Sequence, residues 1–183
     1  MKEHKGGAEE AGQPLTVVGT RLEVGDDAPD FELDYLSGSD FGVIRLADLA
    51  GSVIVLNVVN SVDTPVCDVQ TRRLDTDLTG DAGPEGVQLV TVSMDLPFAL
   101  ARWVSANGVR HPAASSHRSE KFGHDYGVLI KEWRAFQRSI FVIGSDGKVS
   151  YVEYVLDQDH EPDYDAAEAA AQKALSPPTD EPA

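Results

Sequence analysis

Val53-Ile54-Val55-Leu56-Asn57-Val58-Val59 runs straight into Asn60-Ser61-Val62-Asp63-Thr64-Pro65-Val66-Cys67-Asp68-Val69-Gln70-Thr71-Arg72-Arg73, and this junction decides the fold. The first seven residues form an apolar, β-branched run with the length of a strand buried on both faces, as in a parallel sheet. Beyond the junction Val66, Val69, Leu74 and Leu78 recur at helical spacing. The only cysteine of the chain therefore stands where a strand turns into a helix.

Thr64 is a residue type favoured at an N-cap and Pro65 one favoured at the first helical position, which puts Cys67 third in the opening turn. In a capping box that third residue is an acid, bonded around the unpaired N–H groups of the helix start. Cys67 takes the acid's place, so those N–H groups and the positive end of the helix dipole favour a thiolate, the nucleophilic form of the side chain. The opposing reading is a small buried hydrophobe, the common fate of a free cysteine. A core cysteine has no need of a helix N-terminus, and the Thr-Pro-X-Cys register turns the reading toward chemistry.

Working outward, residues 1–14 are rich in Gly, Glu and Ala without periodicity and read as a disordered tail. Leu15 to Val24 reads as a hairpin with Gly19 near its turn, followed by a loop and a strand over Phe31–Leu36. A short strand over Val43–Leu46 precedes the central one, and Gly80 to Gly86 breaks the cysteine helix. Val87–Val92 is the next parallel strand, and Pro97–Ala106 a helix closed by Asn107-Gly108. His111 to Glu120 reads as a polar loop, and Lys121 to Trp133 carries helical spacing interrupted by Gly123 and Gly127. Ser139–Ile143 and Lys148–Val155 form a hairpin around Asp146-Gly147, before a helix over Tyr164–Leu175 capped near Asp163. A Pro-rich acidic tail, 176–183, reads as disordered. The order implies one α/β domain over residues 15–175, with a mixed sheet, parallel in its first half, and helices on both faces. Such sheets bind ligands at the carboxyl ends of their strands, where Cys67 lies.

A chain of 183 residues with 42% hydrophobic content suits one domain with a substantial core. Its formal charge of −16 repels nucleic acid and anionic membrane, which excludes both as partners. No run has the length of a membrane span and the N-terminus has no apolar signal core, so the protein is expected in the cytoplasm. A single cysteine permits no internal disulfide and no CXXC motif. The histidines His4, His111, His117, His124 and His160 have no metal-ligand spacing, so they receive no role, and neither metal nor cofactor is expected.

Asp63-Thr64-Pro65-Val66-Cys67, with Gln70-Thr71-Arg72-Arg73 behind it, resembles the peroxidatic cysteine motif of the bacterial thiol peroxidase branch of the peroxiredoxins. The likeness runs from about Leu15 to Leu175. It is carried also by Gly25-Asp26-Asp27-Ala28-Pro29-Asp30-Phe31, Asp95-Leu96-Pro97-Phe98-Ala99, Tyr126-Gly127-Val128, Phe141-Val142-Ile143, Asp146-Gly147-Lys148-Val149 and Glu161-Pro162-Asp163-Tyr164. The resemblance implies a thioredoxin-like fold with an extra N-terminal β-hairpin. It also implies reduction of hydrogen peroxide and alkyl hydroperoxides, and a homodimer formed through the face near the active site.

Peroxide reduction needs a sulfur nucleophile, donors for two adjacent oxygens, and a group that stabilises charge as it moves to the leaving oxygen. Cys67 supplies the sulfur, the backbone N–H of Val66 and the Thr64 hydroxyl face the same space, and Arg138 is the cation that the resemblance implies. Arg138 precedes a strand and reads equally as a strand-end arginine paired with surface acids. Arg72 and Arg73 lie off the cysteine's helical face and read as solvated or partner-facing. Trp103, Trp133, Phe98 and Tyr126 read as mostly core, with Trp103 or Phe98 the candidates to line a peroxide pocket.

Two positions depart from the family pattern. Asn60 stands where a shielding proline is usual, four residues before the threonine, and Val104 stands where the resolving cysteine is usual. Valine forms no disulfide, so a two-cysteine cycle is excluded. What remains is a one-cysteine cycle in which an external thiol, thioredoxin or a low-molecular-weight thiol, reduces a sulfenic acid at Cys67. The competing reading is a low-turnover redox sensor or interaction protein on a peroxiredoxin scaffold.

Overall fold

The computed structural model describes residues 1–176, and the expected tail over 176–183 lies outside the described residues except for Ser176. The chain runs β1 (Glu3–Glu10), β2 (Gln13–Val18), β3 (Glu32–Ser37), β4 (Asp40–Arg45), β5 (Val53–Val58), α1 (Pro65–Leu78), β6 (Val87–Ser93), α2 (Pro97–Asn107), β7 (Ala113–Ser115), α3 (Lys121–Asp125), β8 (Leu129–Ile130), β9 (Ala135–Phe136), β10 (Ser139–Ile143), β11 (Val149–Tyr154) and α4 (Tyr164–Leu175). The main sheet has the order β11-β10-β5-β6-β7-β3-β4, with β5, β6 and β7 mutually parallel and the other pairs antiparallel. A second, antiparallel sheet has the order β1-β2-β8-β9.

Alternation along β5 assigns its two faces. Ile54, Leu56 and Val58 join Val90, Val92, Phe141, Ile143, Phe122 and Tyr126 in the larger core. Val53 and Val55 pack with Leu89, Ile140 and Val142 against Leu74 and Leu78 of α1 and Tyr164, Ala167 and Ala171 of α4. A third cluster at the carboxyl end of β5 gathers Val59, Val62, Leu100, Trp103, Val109 and Ala113 around Cys67. The mixed sheet flanked by helices agrees with the sequence reading. Pro65 opens α1, Gly108 caps α2 in the left-handed region (φ 64°), and Asp163 caps α4 by accepting from the Ala166 N–H at 2.9 Å.

Three expectations need correction. Residues 1–14 are a strand and the start of a second, not a tail, and the hairpin is Glu3–Val18 rather than Leu15–Val24. Its turn sits at Ala11 and Gly12, both at positive φ (48° and 73°) as a tight hairpin turn requires. A bulge between Lys5 and Ala8 breaks the alternation that would have marked β1. Second, the loop from His111 to Glu120 contains β7, a buried strand of Ala and Ser without β-branched residues. Third, the helical spacing over Lys121–Trp133 yields only five helical residues. Gly127 (φ 63°) ends them where a Cβ would come within 2.5 Å of the Thr20 carbonyl oxygen, and pairing with β2 then draws Leu129 and Ile130 into a strand.

Beneath α1 the buried His111 Nδ1 lies 2.9 Å from Asp75 Oδ1, and Arg110 donates to the same carboxylate. Burial pushes the His111 imidazole below its ordinary range, against the pull of Asp75. Burial also opposes the charge on Asp75, yet hydrogen bonds from the Arg110 backbone and from His111 hold its carboxyl below the ordinary range. A histidine lowered in the fold is protonated first in the unfolded chain, so its stabilising effect is complete above about pH 6.5 and is lost as pH falls toward the folded value. Asp75 acts with the same sign at lower pH, below about 3.9. The urea midpoint is therefore expected to fall between pH 7.5 and pH 5, and His111→Gln to flatten that slope. A midpoint independent of pH across this window contradicts a neutral buried His111.

Candidate active site

The first hydrogen bond of α1 runs from the Asp68 N–H to the Thr64 carbonyl at 2.9 Å, which leaves the N–H groups of Val66 and Cys67 ahead of the ladder. Thr64 occupies the N-cap backbone position, as its residue type led us to expect. Its hydroxyl does not cap the helix. It donates instead to the Ser61 carbonyl oxygen at 2.9 Å, because Ser61 to Thr64 closes a turn whose carbonyl also accepts the Thr64 N–H. The lone pairs of Thr64 Oγ1 thus remain acceptors at the site.

Cys67 is fully buried, which taken alone fits the hydrophobic reading. Arg138 does not fit it. This side chain is 1% exposed, and its Nη1 donates to Cys67 Sγ at 3.2 Å and to Gln70 Oε1 at 2.6 Å. Its Nη2 donates to the Gln158 carbonyl at 2.8 Å and, more distantly, to Asn60 Oδ1 at 3.5 Å. Every oxygen among these acceptors is neutral. A buried cation is costly unless paired, and the sulfur is the one acceptor in the set able to carry a counter-charge. The strand-end ion-pair reading of Arg138 is thereby replaced. The Nε of Arg138 is buried and has no partner among the described residues, leaving one donor uncommitted.

Asn60 is built into the same cluster. Its Nδ2 donates to the Phe136 carbonyl at 2.5 Å and to Gln158 Oε1 at 3.0 Å, which turns its Oδ1 toward Arg138 and to 3.7 Å from Cys67 Sγ. Gln158 Oε1 also accepts from the Arg138 backbone N–H at 2.8 Å. The N-terminal hairpin holds this region from behind, since the Gln158 N–H donates to the Glu9 carbonyl and Gln137 Nε2 to the Gly7 carbonyl, both at 2.9 Å. A cleft of about 390 Å³ opens over these groups, with Asn60, Thr64, Val66, Trp133, Arg138 and Gln158 among its walls. The structure thus brings together Cys67, Thr64, Val66, Asn60 and Arg138.

Other expectations shift. Trp133, not Trp103 or Phe98, lines the cleft. Trp103 is buried, its indole N–H donating to Asp68 Oδ1 at 3.1 Å, while Phe98 is 61% exposed and meets the Phe41 ring edge-on at 5.3 Å. Val104 is half-buried on α2 and packs against the Cys67 cluster. Arg72 pairs with Asp68, and Arg73 lies over the Tyr164 ring, both half-exposed. Sequence reasoning missed Gln70 and Gln158. Gln70 carries a usable signal, since a residue three positions on shares the cysteine's helical face. Gln158 reaches the site only through tertiary folding and carries none.

Arranged this way, the cluster can hold an anionic sulfur buried behind the cleft wall formed by Asn60, Val66 and Arg138, and offer N–H donors beside it. Among the described residues no helix is long and apolar enough to cross a membrane. The AhpC/TSA family model matches residues 24–152. The chain is 44% identical to a thiol peroxidase of Oceanobacillus iheyensis over 84% of its own length and 90% of the relative's. It is likewise 44% identical to a thiol peroxidase of Bacillus subtilis, over 90% and 95%. A crystal structure of a peroxiredoxin-like protein from Aquifex aeolicus superposes with a TM-score of 0.80 at 30% identity, covering 96% of this chain and 100% of that one. With the buried Cys67–Arg138 pair at the start of α1, these likenesses make the chain a member of the AhpC/TSA family, within the bacterial thiol peroxidase branch of the peroxiredoxins.

Proposed function

We propose that the protein is a thiol-dependent peroxidase that reduces hydrogen peroxide and alkyl hydroperoxides through a one-cysteine cycle. The observation that carries the reading is the buried Arg138 guanidinium with its Nη1 3.2 Å from Cys67 Sγ and only neutral oxygens as its other acceptors. In the first step the Cys67 thiolate attacks one peroxide oxygen. The S–O bond forms as the O–O bond breaks, the sulfur gives up two electrons, and the leaving oxygen takes from solvent a proton equal to the one the Cys67 thiol gave up on ionising, departing as water or alcohol. The Val66 N–H and the uncommitted Arg138 Nε are the donors offered to the oxygens, and Thr64 Oγ1 accepts a hydrogen bond from the peroxide O–H. In the second step an external thiol attacks the sulfenic sulfur and releases water, leaving a mixed disulfide. A second thiol then frees Cys67 and leaves as the oxidised disulfide.

Val104 at the resolving position and a single cysteine in the chain support the external thiol, either thioredoxin or a low-molecular-weight thiol. A homodimer through the face near the active site and a cytoplasmic location belong to the same proposal. A second reading, a low-turnover sensor or interaction protein, is favoured by the absence of exposed surface on Cys67.

Peroxide consumption with thioredoxin, glutathione or another thiol supplied separately separates the two. The peroxidase reading expects sustained turnover with one of them. It also expects intact mass to show one added oxygen after stoichiometric peroxide, trapped as a dimedone adduct. An added oxygen without turnover supports the sensor, and no added oxygen at Cys67 rules out the cycle.

A further inference from the structure

The guanidinium that faces Cys67 is one end of a chain of hydrogen bonds that crosses the core beneath α1. Arg138 Nη1 donates to Gln70 Oε1 at 2.6 Å, and Gln70 Nε2 donates to Asn57 Oδ1 at 2.5 Å. Asn57 Nδ2 donates to Thr91 Oγ1 at 2.9 Å and to Thr71 Oγ1 at 3.0 Å. Thr91 Oγ1 lies 2.8 Å from His111 Nε2, and His111 Nδ1 lies 2.9 Å from Asp75 Oδ1. All of these side chains are buried.

Donor and acceptor capacity fixes the direction of every link. A carboxylate only accepts, so His111 carries its proton on Nδ1. Burial keeps the ring neutral, so Nε2 accepts and the Thr91 hydroxyl donates to it. The Thr91 oxygen then receives the Asn57 amide N–H, which turns Asn57 Oδ1 toward Gln70. That oxygen in turn receives the Gln70 amide N–H and turns Gln70 Oε1 toward Arg138. An amide has nearly the same shape either way round, but only its oxygen attracts a guanidinium. Successive aligned hydrogen bonds also polarise one another, so a negative charge at the far end strengthens the last acceptor. Packing alone does not demand this arrangement, since apolar side chains of the same shape fill such a space at little cost.

We propose that Asp75, His111, Thr91 and Asn57 are positioning residues, which hold the Gln70 amide with its oxygen toward Arg138 and so keep the guanidinium on the Cys67 sulfur. The inference rests on the peroxidase reading and extends it to residues on β5, β6, α1 and the loop before β7 that are not among the walls of the cleft.

The test is the second-order rate of Cys67 oxidation by hydrogen peroxide in the full chain, with the fold of each variant checked by urea unfolding. Thr91→Val keeps the shape and cuts the chain at its middle, and it is expected to slow oxidation about tenfold, as a small misplacement of a reacting group does. Thr91→Ser restores the hydroxyl and is expected to recover the wild-type rate. Asp75→Asn keeps the shape but removes the negative charge that polarises the chain from its far end, is expected to slow oxidation similarly, and decides the matter if Thr91→Val fails to fold. A folded Thr91→Val or Asp75→Asn variant that reacts at the wild-type rate overturns the positioning role while leaving the peroxidase reading intact. A wild-type protein no faster than a free thiol removes both.

Discussion

Replacing Arg138 with alanine is expected to lower the rate of Cys67 oxidation by about 10²- to 10³-fold, the cost of removing one preorganised electrostatic donor from a reacting centre. The size follows from its place. Among the described residues Arg138 is the one charged group that hydrogen-bonds the sulfur, and it is almost fully buried, where its charge is little screened. Arg138→Lys is expected to recover only part of the loss, because an ammonium is a point charge and does not reproduce the planar fork that spans Cys67, Gln70 and Gln158. Removing the guanidinium also strips the Gln70 and Gln158 oxygens of a donor, at about 1–3 kcal/mol for each acceptor left unsatisfied. Circular dichroism and urea unfolding alongside stopped-flow oxidation separate this stability cost from the loss of rate. A folded alanine variant that reacts like the wild type contradicts the assignment of Arg138.

The largest effect on stability is expected at Phe141, on β10 next to the central strand. The ring is fully buried and meets Tyr126 and Tyr154 edge-on at centroid distances of 5.2 and 5.4 Å. Phe141→Ala removes these contacts and leaves a cavity between sheet and loop, costing about 3–5 kcal/mol. That is a large fraction of the roughly 5–15 kcal/mol that holds a typical domain folded. Phe141→Leu keeps most of the volume and is expected to lose much less. Equal urea midpoints for the wild type and the alanine variant contradict the assignment of this core.

Where the chain repeats a pattern locally, the fold can be read from it. Val53–Val59 is apolar apart from Asn57 because both its faces are covered. Pro65, Asn107-Gly108 and Asp163 mark helix ends by chemistry that acts within a few residues. The strand β1 escapes such reading because its bulge near Gly6 and Gly7 breaks the period of two. The strand β7 escapes because Ala113, Ala114 and Ser115 take their strand from their neighbours rather than from propensity.

The site divides the same way. Cys67 is legible from the Thr64-Pro65 register, whereas the Thr64 hydroxyl was misjudged because its turn to the Ser61 carbonyl depends on the loop and not on the cap. Arg138 carried two equal readings until its burial and its neutral partners were known. Gln158 and the crossing from Asn57 to His111 join segments far apart in sequence. No spacing rule reaches that far.

The most direct measurement is stopped-flow oxidation of the reduced chain by hydrogen peroxide, followed by tryptophan fluorescence, since Trp133 shares the cleft with Asn60 and Arg138, the polar neighbours of Cys67. A single fast phase, orders of magnitude faster than a free thiol and absent in Cys67→Ser, is the expected result. Oxidation at the pace of an ordinary thiol, or a phase that survives the loss of Cys67, contradicts a thiolate held ready by Arg138.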